Sequence, residues 1–243
     1  LIDVEYIHYL FDIEDFDKAE QQLSSINKEF VNTKSLSIYK TLQPVLVDKK
    51  SFLQINIVEP PKIEKVKKVL KNINGEFDYI IVVSGTFKIF VYEMIQLLIS
   101  LKKLPSNFLC VIYINDATED EQNKIKFSLR NLNINNYTLI FENIKFDNFT
   151  PIQSSSFHTA YRFIIAGELI EEFKKPIFLC DADTIINSDL SQYIKENAEY
   201  DMCLDIKEKY RYLWTYFQAC HCVFYPNDKT KNYLKTYKNF IYH

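Results

Sequence analysis

At 243 residues, with 47% hydrophobic and 15% aromatic side chains, the chain has enough apolar surface for a full core, which excludes an intrinsically disordered protein. A formal net charge of -3 removes the usual ground for general nucleic-acid binding. Three glycines, Gly75, Gly85 and Gly167, cannot supply a P-loop or a G-x-G-x-x-G dinucleotide loop, so any bound phosphate has to be held by metal, side chains or isolated backbone amides.

Apolar residues at three and four spacing over Ile2–Phe11 and Phe16–Phe30 predict two helices separated by the acidic turn Asp12–Asp17, within a helical segment covering residues 1 to 47. The run Y-L-F-D-I-E-D-F-D-K-A-E-Q-Q-L resembles the turn and second helix of a tetratricopeptide repeat, with Ala19 at the small-residue position; an ordinary helical hairpin fits the same residues. As a repeat it would need further units before Leu1, because one unit cannot bury its own face. Residues 48 to 76 read as linker and helix: a β-rich run, Phe52–Val58, then Pro60-Pro61, then a basic amphipathic helix over Lys62–Ile73 closed near Gly75, with a solvated face. The domain boundary is expected here, with residues 77 to 243 forming the main domain.

From Tyr79 the pattern alternates. Strands are predicted at Tyr79–Val83, Phe108–Ile114 and Tyr137–Glu142, with helices at Phe87–Leu101 and Thr118–Leu132 between them. A helix over Ser156–Phe173 leads into a further strand, and Asp201–Ile206 and Ala219–Tyr225 follow as two more. Alternation of this kind implies an α/β fold with a Rossmann-like, parallel, doubly covered sheet and right-handed crossovers.

The chemistry concentrates in P-I-F-L-C-D-A-D-T-I-I-N-S-D-L, residues 176 to 190. Ile177, Phe178, Leu179 and Cys180 run without polar alternation, as a strand buried on both faces would, and the run stops at Asp181 and Asp183. Ligand crevices in open α/β sheets lie beyond the carboxyl ends of the strands, which puts both aspartates at the rim of a site. In extended chain, residues two apart share a side, so the two carboxylates would repel unless a cation sat between them. A divalent Mn²⁺ or Mg²⁺, bridging to phosphate oxygens, meets that need; a solvated strand end is the plain alternative. Asp15 and Asp17 form a second D-x-D in a loop entering a helix, without the buried strand in front, and carry no function.

Other strand ends add candidates. Ser84-Gly85-Thr86 follows the first strand, either as a close backbone approach to a ligand or as a turn. Asn115-Asp116 follows the second, as a ligand contact or as the cap of the next helix. Arg162 lies early in the helix before the aspartate strand, facing the crevice as a diphosphate contact or paired on the surface with Glu168 or Glu171. Asp205 ends a later strand as a catalytic base, a sugar-hydroxyl ligand or a solvated carboxylate. The five cysteines, Cys110, Cys180, Cys203, Cys220 and Cys222, all fall on predicted strands, without disulfide-framework spacing, which suits a reducing compartment. In Cys220-His221-Cys222, alternate residues belong to a core strand and His221 faces the other way; no second Cys/His pair completes a zinc set. No apolar run approaches the length of a membrane span and no signal peptide is evident, so a cytoplasmic location is expected. A start at Leu1 and a stop at His243 directly after a helical stretch suggest a fragment cut at both ends.

The segment Y-R-F-I-I-A-G-E-L-I-E-E-F-K-K-P-I-F-L-C-D-A-D-T-I-I-N-S-D-L, residues 161 to 190, resembles the core of GT-A glycosyltransferases of family 8, the glycogenin and lipopolysaccharide galactosyltransferase kind. In that family an arginine-bearing helix leads to a strand ending in D-x-D, followed by two apolar residues, Asn or a small residue, and Asp-Leu. The resemblance extends through the βα alternation to roughly residues 77 to 243. It implies a metal-dependent transfer of sugar from a nucleotide-sugar donor, a UDP-sugar above all, to a glycan, lipid or protein acceptor, with peripheral membrane association compatible with that chemistry. Asp181 and Asp183 would hold the metal; Arg162, Ala182, Asp116 and Ser84, Gly85 and Thr86 would contact the nucleotide sugar. Tyr216-Phe217-Gln218-Ala219-Cys220 matches the family's Y-F-N-S-G, which puts Gln218 with Asp205 among the catalytic candidates. The family's usual base-binding aspartate is absent from the loop at Ser84–Thr86, and its H-x-x-G-x-x-K-P-W stretch does not occur in the sequence. Two other readings compete: a haloacid-dehalogenase-type phosphatase, whose first Asp is a nucleophile, and a non-catalytic interaction protein carrying a degenerate transferase domain.

Overall fold

A four-strand parallel core is built from the least polar stretches of the chain, Tyr79–Val83 foremost, in which no side chain reaches solvent. In this computed structural model the described residues are Lys18, Gln21 and residues 65–104, 107–134, 136–144, 151–206 and 217–242. The chain divides into two compact units, Leu1–Gln54 with Ile206–Phe217, and Ile55–Asp205 with Gln218–His243. In the first unit Lys18 and Gln21 are helical; the rest of the expected N-terminal helices and the β-rich run Phe52–Val58 lie outside the described residues.

The second unit is an α/β domain around a seven-stranded sheet of order β1-β4-β3-β2-β5-β7-β6. The strands are β1 (Lys65–Asn72), β2 (Tyr79–Thr86), β3 (Phe108–Asn115), β4 (Tyr137–Ile144), β5 (Ile177–Cys180), β6 (Met202–Ile206) and β7 (Phe217–Phe224). Between them run α1 (Ile95–Lys102), entered through a helical turn Phe87–Ile89 and a π-helical turn Phe90–Met94, then α2 (Glu119–Leu132), α3 (Pro151–Phe173), α4 (Ser191–Glu196) and α5 (Asp228–Tyr242). Strands β4, β3, β2 and β5 are parallel neighbours, whereas β1 pairs antiparallel with β4, and β7 antiparallel with β5. The sheet is therefore mixed, mostly parallel at its centre, and not the purely parallel sheet the alternation implied; strands that arrive without a crossover helix can join antiparallel.

The largest correction concerns residues 62 to 73. Lys65–Asn72 is a strand at the sheet edge, not a basic helix. Val66, Val69, Leu70 and Ile73 mimic helical spacing, but Lys67 and Lys71 stand two and six residues into the strand on one side and meet Glu168 and Glu172 of α3, Lys67 Nζ at 2.8 Å from its partner. Lysines on an edge strand also discourage pairing with another chain.

Each face of the sheet has its own core. Tyr79, Ile81, Val83, Ile112, Ile114 and Phe178 face α1 and α2, where Leu97, Leu101, Ile125 and Leu129 cover them. Ile80, Val82, Val111, Tyr113, Ile177 and Leu179 face α3 and α5. At Gly167 an added Cβ would stand 3.3 Å from Leu234 Cβ, so the missing side chain sets how closely α3 and α5 approach.

Candidate active site

Counting the parallel strands in chain order, β4-β3-β2-β5 reads third, second, first, fourth, and the order reverses between β2 and β5. A crevice opens beyond the carboxyl ends of strands at such a reversal. Val82 pairs with Leu179. Two residues further on come Ser84, still on β2, and Asp181, the first residue after β5. Because Ile177 and Leu179 face α3, alternation sends Asp181 to the same side.

Arg162, from the middle of α3, meets it there. The side chain is 6% exposed, and its Nη1 donates to Asp181 Oδ1 in an ion pair whose acceptor is 43% exposed. The ion pair of Arg162 is with Asp181, whereas Glu168 pairs with Lys67 and Lys238. A buried guanidinium is thus held at the rim by a carboxylate that still reaches solvent.

The two aspartates do not continue the strand. β5 ends at Cys180, and the next residues turn, with Thr184 N–H donating to Asp181 O at 3.2 Å. Extended geometry would have placed both carboxylates on one side; the turn instead buries Ala182 in the core facing α1 and leaves Asp183 exposed. Beyond the turn, Ile186 N–H donates to Ser100 Oγ at 3.1 Å, anchoring the chain on α1. Thr184 Oγ1 lies 3.3 Å from His221 Nε2 on β7, where His221 is the ladder partner of Cys180. The imidazole stacks on Phe178 with ring centres 6.2 Å apart and planes 6° from parallel.

The other candidates fall into place around this turn. Ser84, Gly85 and Thr86 are the last residues of β2 rather than a loop after it. Gly85 does not have positive φ; a Cβ there would come within 2.7 Å of Ile89 Cγ2, so glycine makes room for the chain's own helical turn. Thr86 caps that turn, accepting from Ile89 N–H at 3.4 Å. Asp116 is exposed with φ 55, and its N–H donates to Glu142 O at 3.0 Å. It is not the helix cap: Thr118 caps α2 in a capping box with Glu121, whose carboxylate accepts from Thr118 N–H at 2.8 Å. Asp205 lies on β6 and Gln218 on β7, and of these two the backbone alone is described.

Four polar residues, Tyr113, Glu142, Thr184 and His221, have partners that the sequence does not reveal. Tyr113 OH donates to Glu142 Oε2 at 3.0 Å, both side chains fully buried, and the Tyr161 ring lies 5.3 Å from that of Tyr113. A single acid inside the apolar run L-I-F-E-N-I was the available signal for Glu142. Thr184 and His221 carried a weaker one, since their meeting depends on the antiparallel arrival of β7.

The cysteine directly before Asp181 is not reactive. Burial pushes the Cys180 thiol far up, with Cys110, Asp181 and Asp183 adding in the same direction against Arg162. Such a thiol stays protonated and offers no nucleophile. Cys110, Cys180, Cys203 and Cys222, all on strands as expected, are not in disulfides.

The donor set suits a hard divalent cation of the Mg²⁺ or Mn²⁺ type: Asp181 and Asp183 offer carboxylate oxygens at an open rim, where water and phosphate oxygens can complete the shell. Among the described residues no three His, Cys, Asp or Glu side chains converge on one metal position. No helix among them is long and apolar enough to cross a membrane.

No family model matches the chain, and no curated protein matches it. Among solved structures it is similar to the glycosyltransferase GlyE of Streptococcus pneumoniae TIGR4, with 13% identity over 66% of this chain and 37% of that one and a TM-score of 0.44. It is similar to the galactosyltransferase LgtC in complex with donor and acceptor sugar analogs, with 14% identity over 64% of this chain and 59% of that one and a TM-score of 0.42. The mannosyltransferase Ktr4p of S. cerevisiae shares 11% identity over 96% of this chain and 78% of that one, with a TM-score of 0.39. The chain thus spans 37% and 59% of the first two proteins, and a likeness at these scores carries no argument about activity.

Proposed function

We propose that the chain is a glycosyltransferase that takes a sugar from a nucleotide-diphosphate donor, with Mn²⁺ or Mg²⁺ held by Asp181 and Asp183. One observation carries the reading: the buried guanidinium of Arg162 and the carboxylate of Asp181 meet at the carboxyl ends of the strands where the sheet order reverses. The resemblance of residues 161 to 190 to GT-A glycosyltransferases of family 8 supports the same assignment.

Cleaving a sugar from a diphosphate develops negative charge on the leaving phosphate oxygens. Arg162, fixed in its buried position, offers several N–H donors to that charge, and donors aimed in advance cost no reorganisation when it forms. The bound cation would neutralise charge on the same oxygens. Ser84 and Asp116 border the crevice from β2 and β3 as contacts for the nucleoside, a UDP-sugar being the first donor to test. Asp205 and Gln218 are assigned to the acceptor side, facing a glycan, lipid or protein. Four strand cysteines that are not in disulfides support a reducing compartment, the cytoplasm.

The test is the melting temperature of the protein with UDP-, GDP- and CMP-sugars, with and without Mn²⁺. A rise that needs both donor and Mn²⁺ supports the reading and identifies the nucleotide. No rise with any donor, in folded protein, overturns it.

A further inference from the structure

Three contacts hold the Asp181–Asp183 turn itself, and Ile186 N–H on Ser100 Oγ anchors the chain just beyond it. Arg162 holds the Asp181 side chain, Thr184 N–H closes the turn on Asp181 O, and the Thr184 hydroxyl meets His221 Nε2 at 3.3 Å. The first two act on Asp181. The third is the side-chain contact nearest the far side of Asp183, which is exposed at the tip of the turn. His221 is itself placed by the sheet, since its backbone pairs with Cys180 across the β5–β7 ladder and its ring runs parallel to that of Phe178 at 6.2 Å between centres. Nε2 is therefore presented from β7, an element separate from the turn.

We propose that His221 is a positioning residue for the metal site, acting through the Thr184 hydroxyl to fix the direction in which Asp183 presents its carboxylate. The inference rests on the reading of Asp181 and Asp183 as metal ligands. A hydrogen bond of this kind does not touch the ion. It narrows the range of turn conformations, so that the exposed carboxylate does not have to be ordered anew when the ion arrives. Removing it should weaken metal binding while leaving the transfer step intact once metal is saturating.

Two substitutions isolate the contact. Thr184→Val keeps the shape and removes the hydroxyl; His221→Phe keeps a flat ring for Phe178 and removes the nitrogen. Mn²⁺ binding is read directly, by electron paramagnetic resonance of the free ion in the full chain, alongside donor cleavage at varied Mn²⁺. In addition, the nitrogen shifts of the His221 ring are compared between wild type and Thr184→Val. The expected result is about tenfold weaker Mn²⁺ binding in either variant. Cleavage at saturating Mn²⁺ stays near wild type, the double variant is no worse than the singles, Thr184→Ser binds as wild type does, and the His221 shifts change in Thr184→Val. If wild type binds Mn²⁺ and folded Thr184→Val binds it equally well, the positioning role is overturned and the transferase reading stands. If folded wild type binds no Mn²⁺ at all, the metal reading falls and takes the positioning role with it, whatever the histidine shifts do.

Discussion

Arg162 and Asp181 stand nineteen residues apart in the chain and meet in an ion pair that is buried on the arginine side and open to solvent on the carboxylate side. Under the proposed function the asymmetry gives the pair two roles with separate readouts. The arginine is committed to the fold, whereas the carboxylate reaches solvent, as the proposed metal role requires. Replacing Arg162 with Ala should lower donor cleavage by about a hundredfold or more, the usual loss when one preorganised charge-stabilising donor is removed. Arg162→Lys keeps the charge but not the planar fork and should recover only part of the rate. Steady-state kcat at saturating donor and Mn²⁺ checks both.

The two aspartates should separate in stability even though both are assigned to metal. Asp181→Asn removes the charge facing a buried guanidinium and should lower the melting temperature by several degrees without metal; the half-exposed carboxylate moderates the loss. Asp183→Asn, at an exposed position, should leave the metal-free melting temperature within about one degree of wild type. Differential scanning calorimetry in a chelator makes the comparison.

Gly85 should be a packing residue. Its absent Cβ leaves room for Ile89 Cγ2 and Cβ, which would otherwise lie 2.7 Å and 3.0 Å away. Gly85→Ala is therefore expected to destabilise by about 1–3 kcal/mol. In an Ile89→Ala background the same substitution should cost much less, and that non-additivity, read from urea melts, separates packing from ligand contact.

Burial raises the Cys110 thiol from 9.0 to about 12. Because the folded pKa lies above the unfolded one, the stability this thiol contributes is complete below pH 9.0 and is lost as pH rises from there towards about 12. The expected slope from this one group is about 1.4 kcal/mol per pH unit within that window. Urea melts at pH 8 and pH 10 should show Cys110→Ala losing less stability between the two than wild type does.

The sequence made the central strands and the D-A-D rim legible because they depend on local pattern: unbroken apolar runs ending abruptly in charge, with Tyr79–Val83 and Ile177–Cys180 as the clearest cases. Lys65–Asn72 was misread because its valines fit a helical period, while its true partner, β4, lies about seventy residues on and the acids that meet its lysines lie on α3. The same limit applies inside the site. Arg162 could be drawn towards the crevice from a helix leading into a strand, but its ion pair with Asp181 could not. Thr184 with His221, and Tyr113 with Glu142, meet only once the order and direction of the strands are known. The turn at Ala182-Asp183 escaped for a different reason: alternation describes a strand while it lasts and says nothing about where it stops.

The deciding property of the protein is whether the Asp181–Asp183 turn supports cleavage of a nucleotide sugar. The direct measurement is release of nucleoside diphosphate from a panel of nucleotide sugars with Mn²⁺, comparing wild type with Asp183→Asn, whose fold should be intact. Release by wild type, abolished by chelator and reduced at least about a hundredfold in Asp183→Asn, is the predicted result. No release with any donor, or equal release by Asp183→Asn, would contradict it.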